Sequence, residues 1–233
     1  MLTVEHVFVN YGKSRVVSDV SFSIADGGKL AVLGRNGVGK TTLMKALIGL
    51  LPVEAGGRVL LDGADLTKRP AWFRNQAGIG YVPQGREIIP DMTAEENLEL
   101  GAMGRKDVDA KAQKEVVLSY FPALGELLKR KGGVLSGGQQ QQLAIGRCLM
   151  GKPSLILLDE PTEGIQPNVV AEMARILNRI ASEMGIGLCL VEQNLGFARR
   201  IAENYVIIQK GQVVSQGAME ALDSEEANRY LSV

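Results

Sequence analysis

Apolar and polar positions alternate through the opening third of the chain. "LTVEHVFV" from Leu2 and "VSFSI" from Val20 put every second side chain on one face, the period of a half-buried strand. "ADGGK", between Ile24 and Leu30, reads as a turn. "KLAVLG" is a short unbroken apolar run, a buried strand, followed by a glycine-rich turn and the helical pattern "KTTLMKALIGL". "GRVLLDG" is a further strand bounded by glycines. From Thr93 to about Gly151 the period becomes helical. "TAEENLELGAM" opens on Thr93 with Glu96 three residues on, a capping box, and "DAKAQKEVVLSYF" holds helical period until Pro122. Beyond Gly151 strand and helix alternate again: "SLILLDE", then "NVVAEMARILNRIASEM" behind Pro167, then "GLCLVEQ" and "LGFARRIAE". "YVIIQKGQVVSQG" is a hairpin turning at Lys210-Gly211, and "EALDSEEANRYLSV" a short helical tail. The order predicts an α/β core carrying a helical insertion, without internal repeats.

Composition narrows this only slightly. A length of 233 residues suits one domain with an inserted subdomain. Lys plus Arg (26) balance Asp plus Glu (26), so no overall field attracts nucleic acid or an anionic membrane. The 28 glycines cluster, as expected where backbone must turn tightly or approach a ligand closely. Cys148 and Cys189 lack metal-ligand spacing and read as two buried free thiols, which fits a reducing compartment. The opening "MLTVEHVFVNYGK" has no basic leader before an apolar stretch, so no signal peptide is expected. No apolar run approaches the roughly 18–20 residues that span a bilayer, so any membrane role runs through other proteins' helices.

Two motifs carry chemistry. "GRNGVGKTT" matches G-x-x-x-x-G-K-[ST] between a predicted strand and a predicted helix, the context such a phosphate loop requires. Backbone N–H groups of Gly34, Arg35, Asn36, Gly37, Val38, Gly39, Lys40, Thr41 and Thr42 are expected to cradle phosphates at a helix N-terminus. Lys40 is expected to reach the β- and γ-phosphates and the Thr41 hydroxyl to coordinate Mg²⁺. "LILLDEP" supplies a buried strand ending in two carboxylates: Asp159 for the Mg²⁺ shell, Glu160 to polarise an attacking water. A strand ending in Asp-Glu is common by itself; together with the loop at Gly34 it specifies an NTPase.

A phosphate loop, "YVPQ" at Tyr81, "LSGGQ" at Leu135 and "LILLDEP", in this order, resemble the ATP-binding subunits of ABC transporters. The resemblance covers essentially the whole chain. It implies a P-loop NTPase (RecA-like) core with an antiparallel β subdomain and an inserted α-helical subdomain at about residues 85–150, in a single domain over residues 1–233. In that family two ATPase domains sandwich two ATP molecules head to tail. By this likeness Ser136, Gly137, Gly138 and Gln139 close over the partner's nucleotide, Tyr11 stacks on adenine, and Gln84 reaches Mg²⁺ and the attacking water. The segment from Gln84 into the Thr93 helix is then the contact surface for membrane permease subunits. The glutamines after "LSGG" are expected on the first turns of a helix, solvated or touching the opposite subunit, and Trp72 is expected to be ordinary packing.

Two positions depart from the family pattern. Gln193, in "LVEQN", stands where the family usually has a γ-phosphate-contacting His, and Gln166 where many relatives place an Asp. Gln193 can hydrogen-bond phosphate or water but carries no charge. The sole histidine, His6, is expected to be structural or solvated. The wording of these motifs resembles the second ATPase subunit of importers for branched-chain amino acids and for urea and short amides, leaning to urea. Such importers imply a second ATPase subunit (or a second copy of this chain), integral permeases, an indirectly coupled periplasmic binding protein, no nucleic acid, and a place at the cytoplasmic face of the inner membrane. An exporter ATPase, a soluble ABC ATPase and a regulatory ATP-binding module remain as alternatives.

Overall fold

A computed structural model of the chain describes residues 1–231; Ser232 and Val233, the end of the expected helical tail, lie outside the described residues. Five strands run parallel in the central sheet: β3 (Lys29–Leu33), β6 (Ile79–Val82), β7 (Leu155–Asp159), β8 (Gly187–Glu192) and β9 (Asn204–Gln209). β10 (Gln212–Ala218) adds an antiparallel edge, giving the order β10-β9-β3-β8-β7-β6. Every residue of β7 and β8 is buried, as expected where both faces of a parallel sheet are covered. Successive side chains serve two cores. Ala31, Leu33, Ile156, Leu158, Leu188 and Leu190 face the helices of the insertion and the C-terminal half. Leu30, Val32, Leu155, Leu157, Cys189 and Val191 face the second sheet.

That second sheet is antiparallel, in the order β2-β1-β4-β5: β1 (Leu2–Tyr11), β2 (Ser14–Ile24), β4 (Arg58–Leu61) and β5 (Ala64–Asp65). The alternation in β1 and β2 slips where His6 (φ 46) and Asp19 (φ 56) bulge outward, their side chains bonded at 2.7 Å on the surface. His6 is therefore solvated. Val4 and Val7 both stay buried because the bulge absorbs the odd residue between them.

Between the sheets lies α1 (Lys40–Leu47), shorter than its sequence pattern because Gly49 (φ 79) turns the chain away. The buried guanidinium of Arg74, on α2 (Ala71–Gln76), donates to the carbonyls of Ala46 and Leu47 at the end of α1 and to Thr67 and Arg69. Its charge is thus matched to a helix C-terminus. Trp72, expected to pack, is 64% exposed, a correction: α2 turns Arg74 inward, leaving Trp72 on its outer side, edge-on to Phe73.

The segment between β6 and β7 holds α3 (Ala94–Leu100), α4 (Ala110–Tyr120), α5 (Pro122–Gly125) and α6 (Gly137–Met150). Thr93 and Glu96 form the capping box read from sequence. Asn97, fully buried, has its amide satisfied by the Ile89 N–H and the carbonyls of Ile89, Met92 and Thr93, fixing the turn that leads into α3. At Gly101 the end of α3 meets α6 so closely that a Cβ would stand 1.8 Å from the Arg147 carbonyl oxygen. α7 (Pro167–Met184), α8 (Leu195–Ile201) and α9 (Ser224–Leu231) complete the fold. Cys189 is buried and Cys148 half-buried, correcting the expectation of two buried thiols; both are free.

Candidate functional site

The carboxyl ends of β3, β6, β7 and β8 lie side by side, and each carries one of the segments singled out in the sequence. Ligands of parallel sheets bind at this edge. Gly34 leaves β3 under the β9 backbone, where a Cβ would come within 2.6 Å of the Ile208 carbonyl oxygen. Gly39 caps α1 with φ 106, and a Cβ there would meet the Val16 carbonyl oxygen at 2.9 Å. Both positions require glycine. The β9–β10 hairpin supports the loop from below: Lys210 and Gly211 turn with φ 48 and 77, and the Gly211 N–H donates to the Val38 carbonyl at 2.9 Å. Asn36, Gly37, Gly39, Lys40, Thr41 and Thr42 line an open cavity of about 320 Å³ together with Val16, Gln84 and Glu160. Val16 carries no motif and no sequence signal points to it.

Lys40 is almost wholly buried, an arrangement that needs partners. Its Nζ donates to the Gly34 and Arg35 carbonyls at 2.8 and 2.9 Å and lies 3.4 Å from Glu160 Oε1. The Thr41 hydroxyl donates to Asp159 Oδ1 and the Tyr81 hydroxyl to Asp159 Oδ2, each at 3.2 Å. Burial pushes the Asp159 carboxyl up, against the pull of these two hydrogen bonds. Burial, then the Asp159 charge, pushes the Tyr81 phenol up in turn, so Tyr81 remains a donor. Glu160 has φ 47, a left-handed conformation that swings its carboxylate out of the strand towards the cavity. Gln84 reaches the same cavity while its Nε2 donates to Glu163 Oε2 at 3.0 Å.

Not all the predicted positions meet. Tyr11 ends β1, half-exposed, outside the lining of this cavity. Arg35 is exposed and Val38 half-buried within the loop. Gln193 is exposed just past β8, its backbone N–H bonded to Glu192. Ser136 caps α6, with Gln139 completing a second capping box, and Gly137 and Gly138 form the first turn. The glutamine run is not uniformly solvated, which corrects that expectation. Gln140 donates to the Gly132 carbonyl at 3.0 Å, and Gln141 is 3% exposed, because α6 turns that face into the fold.

Tyr81 and Glu192 also had no assigned role in the sequence. Glu192, 2% exposed at the end of β8, accepts from the Thr162 N–H and hydroxyl on one oxygen and from the Gln193 and Asn194 N–H groups on the other. It ties the loop after Glu160 to the segment holding Gln193. Burial raises its carboxyl above the ordinary value, against these four bonds.

A family model described as ABC transporter matches residues 17–163. The chain belongs to the ABC transporter family. It is an ATP-hydrolysing subunit of a transporter. The chain is 36% identical, over 95% of its length and 94% of the relative's, to the high-affinity branched-chain amino acid transport ATP-binding protein BraG of Pseudomonas aeruginosa. It is 34% identical to the probable branched-chain amino acid transport ATP-binding protein LivF of Archaeoglobus fulgidus, covering 97% of this chain and 96% of that one. It is 31% identical to the lipopolysaccharide export system ATP-binding protein LptB of Haemophilus influenzae, over 97% and 94%. Among solved structures it resembles the ADP conformation of MJ1267, an ATP-binding cassette of an ABC transporter, with a TM-score of 0.86 and 26% identity over 100% of this chain and 94% of that one. No helix among the described residues is long and apolar enough to cross a membrane.

Proposed function

We propose that this ABC ATPase energises the import of branched-chain amino acids. The observation that carries the reading is the near full-length similarity to two proteins named for that transport, at higher identity than to the export protein. It moves the substrate away from the urea and short amides expected from motif wording towards the alternative weighed beside them.

In this reading the backbone of Gly34–Thr42 cradles ATP, and Lys40 exchanges the Gly34 and Arg35 carbonyls for phosphate oxygens. Glu160, released from Lys40, accepts a hydrogen bond from the attacking water and directs it at the γ-phosphate. The hard oxygen donors of Thr41, Asp159 and Gln84 suit Mg²⁺, which takes one or two carboxylates beside phosphates and water, and no cluster of three or more His, Cys, Asp or Glu is present among the described residues. Bound there, Mg²⁺ supplies neutralisation of phosphate charge. Tyr11 packs against adenine, and Gln193 hydrogen-bonds phosphate or water without charge.

Ser136, Gly137, Gly138 and Gln139 close over the nucleotide of a second ATPase subunit, whether a different chain or another copy. Residues from Gln84 to the Thr93 helix, within the insertion at about 85–150, dock on permeases at the cytoplasmic face of the membrane, with a periplasmic binding protein delivering substrate from the far side. The test is ATP turnover by the assembled complex in proteoliposomes. Leucine-loaded binding protein raises it and urea-loaded protein leaves it at the basal rate; the opposite pattern refutes the substrate.

A further inference from the structure

The turn after β6 is gripped by two arginines. Arg86 and Glu87 follow one another in left-handed conformations, φ 70 and 45, each unfavourable for a side-chain-bearing residue. Their carbonyls are held from α6: Arg147 donates to the Glu87 oxygen at 2.8 Å and to the Arg86 oxygen at 3.0 Å. The strained turn aims the Arg86 side chain back across the molecule. Its Nη2 donates to the Glu163 carbonyl at 2.8 Å, and its Nη1 makes a long contact of 3.5 Å with Gln140 Oε1 on α6. Its two terminal nitrogens stand 3.3 and 3.4 Å from where a Cβ at Gly137 would lie, and one stands 3.5 Å from that of Gly164. Rooted in the turn that bears Gln84, this one side chain therefore touches both the loop that follows Glu160 and the first turn of α6.

These contacts form a continuous path. Gln84 lines the phosphate cavity and bonds the Glu163 side chain; Arg86 bonds the Glu163 backbone and abuts Gly137. A planar fork suits acceptors in two directions, which a lysine cannot span.

We propose that Arg86 is a positioning residue that fixes the first turn of α6 relative to this chain's own phosphate cavity, so that filling the cavity and capturing a partner's nucleotide are coupled. The inference rests on the reading that Ser136–Gln139 close over ATP held by a second ATPase subunit. Arg86 does not line the cavity, so its loss spares the chain's own ATP binding and acts on the step in which two subunits close.

The experiment uses the full chain carrying Glu160→Gln, with Mg-ATP, alone and with its paired ATPase subunit, and reads dimer formation by light scattering against ATP concentration. Fluorescence of trinitrophenyl-ATP reports nucleotide affinity of the separated subunit, and thermal melting reports folding. Adding Arg86→Ala raises the ATP concentration for half-maximal dimer by about tenfold or more, the scale of one hydrogen bond from a charged donor. The separated subunit's affinity stays at the parent value, and its melting temperature falls by no more than several degrees, the cost of the lost bond to the Glu163 carbonyl. Arg86→Lys keeps the charge, loses the fork and is equally defective; it also decides the matter should the alanine variant fail to fold. Dimerisation at the parent ATP concentration, rescue by lysine, or an equal loss of affinity in the separated subunit each overturns the proposal. Failure of the chain with Arg86 intact to dimerise in either setting removes the sandwich reading itself, and this coupling with it.

Discussion

Replacing Glu192 tests a buried carboxylate that joins two loops of the site. Glu192→Ala leaves the Thr162, Gln193 and Asn194 N–H groups without their acceptor. Each orphaned part-buried donor costs up to about 1–3 kcal/mol, and water reaching the exposed Gln193 and Asn194 side recovers part, so the net loss is about 2–4 kcal/mol. Glu192→Gln is milder. Its amide oxygen can serve the Gln193 and Asn194 N–H groups and its NH₂ can donate to the Thr162 hydroxyl, leaving one N–H orphaned, about 1 kcal/mol. The pH dependence has a definite sign. Burial places the folded carboxyl above its ordinary value of 4.5, so the native state favours the protonated form. The stability so contributed is full in acid and declines as pH rises through the folded value. The gap between parent and Glu192→Gln is therefore widest in acid and narrows towards neutral pH. Urea unfolding of the three proteins across that range measures both effects. An alanine variant within about 0.5 kcal/mol of the parent, the spread of an inert surface change, would mean that Glu192 does not hold these two loops together.

Two further outcomes follow from the geometry. Gly101→Ala drives a methyl into the Arg147 carbonyl and lowers stability by about 1–3 kcal/mol in the same unfolding assay, the cost of overpacking. Tyr81→Phe removes one of the two side-chain bonds to Asp159; titrating Mg²⁺ against binding of a fluorescent ATP analogue shows half-saturation moved about tenfold upward, the scale of a hydrogen bond to a charged group.

The sequence was most legible where one local rule decides the backbone. The capping box at Thr93, the long helix behind Pro167 and the hairpin turn at Lys210-Gly211 were all readable from a few residues; that the helix takes in Pro167 and that the turn is left-handed were not. β6 was harder, because Gly78 and Gly80 interrupt its apolar pattern; they are glycines because Ser154 and Cys148 fill the space a Cβ needs. Trp72 and the glutamine run were misjudged for one reason: which face of a helix turns inward is set by neighbours distant in sequence, here the carbonyls that Arg74 must satisfy and the packing around α6. Within the site, Lys40, Thr41, Asp159 and Glu160 belong to motifs whose spacing encodes their chemistry. Tyr81, Glu192 and Arg86 act through partners on other strands and loops, and no periodicity marks such contacts. The transported substrate was legible least of all, since these motifs encode only the chemistry of a nucleotide.

ATP hydrolysis on this chain is proposed to drive uptake of branched-chain amino acids. The most direct test is accumulation of labelled leucine and labelled urea at micromolar concentration, comparing the parent strain with one carrying Lys40→Ala. Leucine accumulation is expected to be lost while urea uptake is unchanged. Leucine accumulation at the parent level, with the variant subunit present in normal amount, would contradict this role.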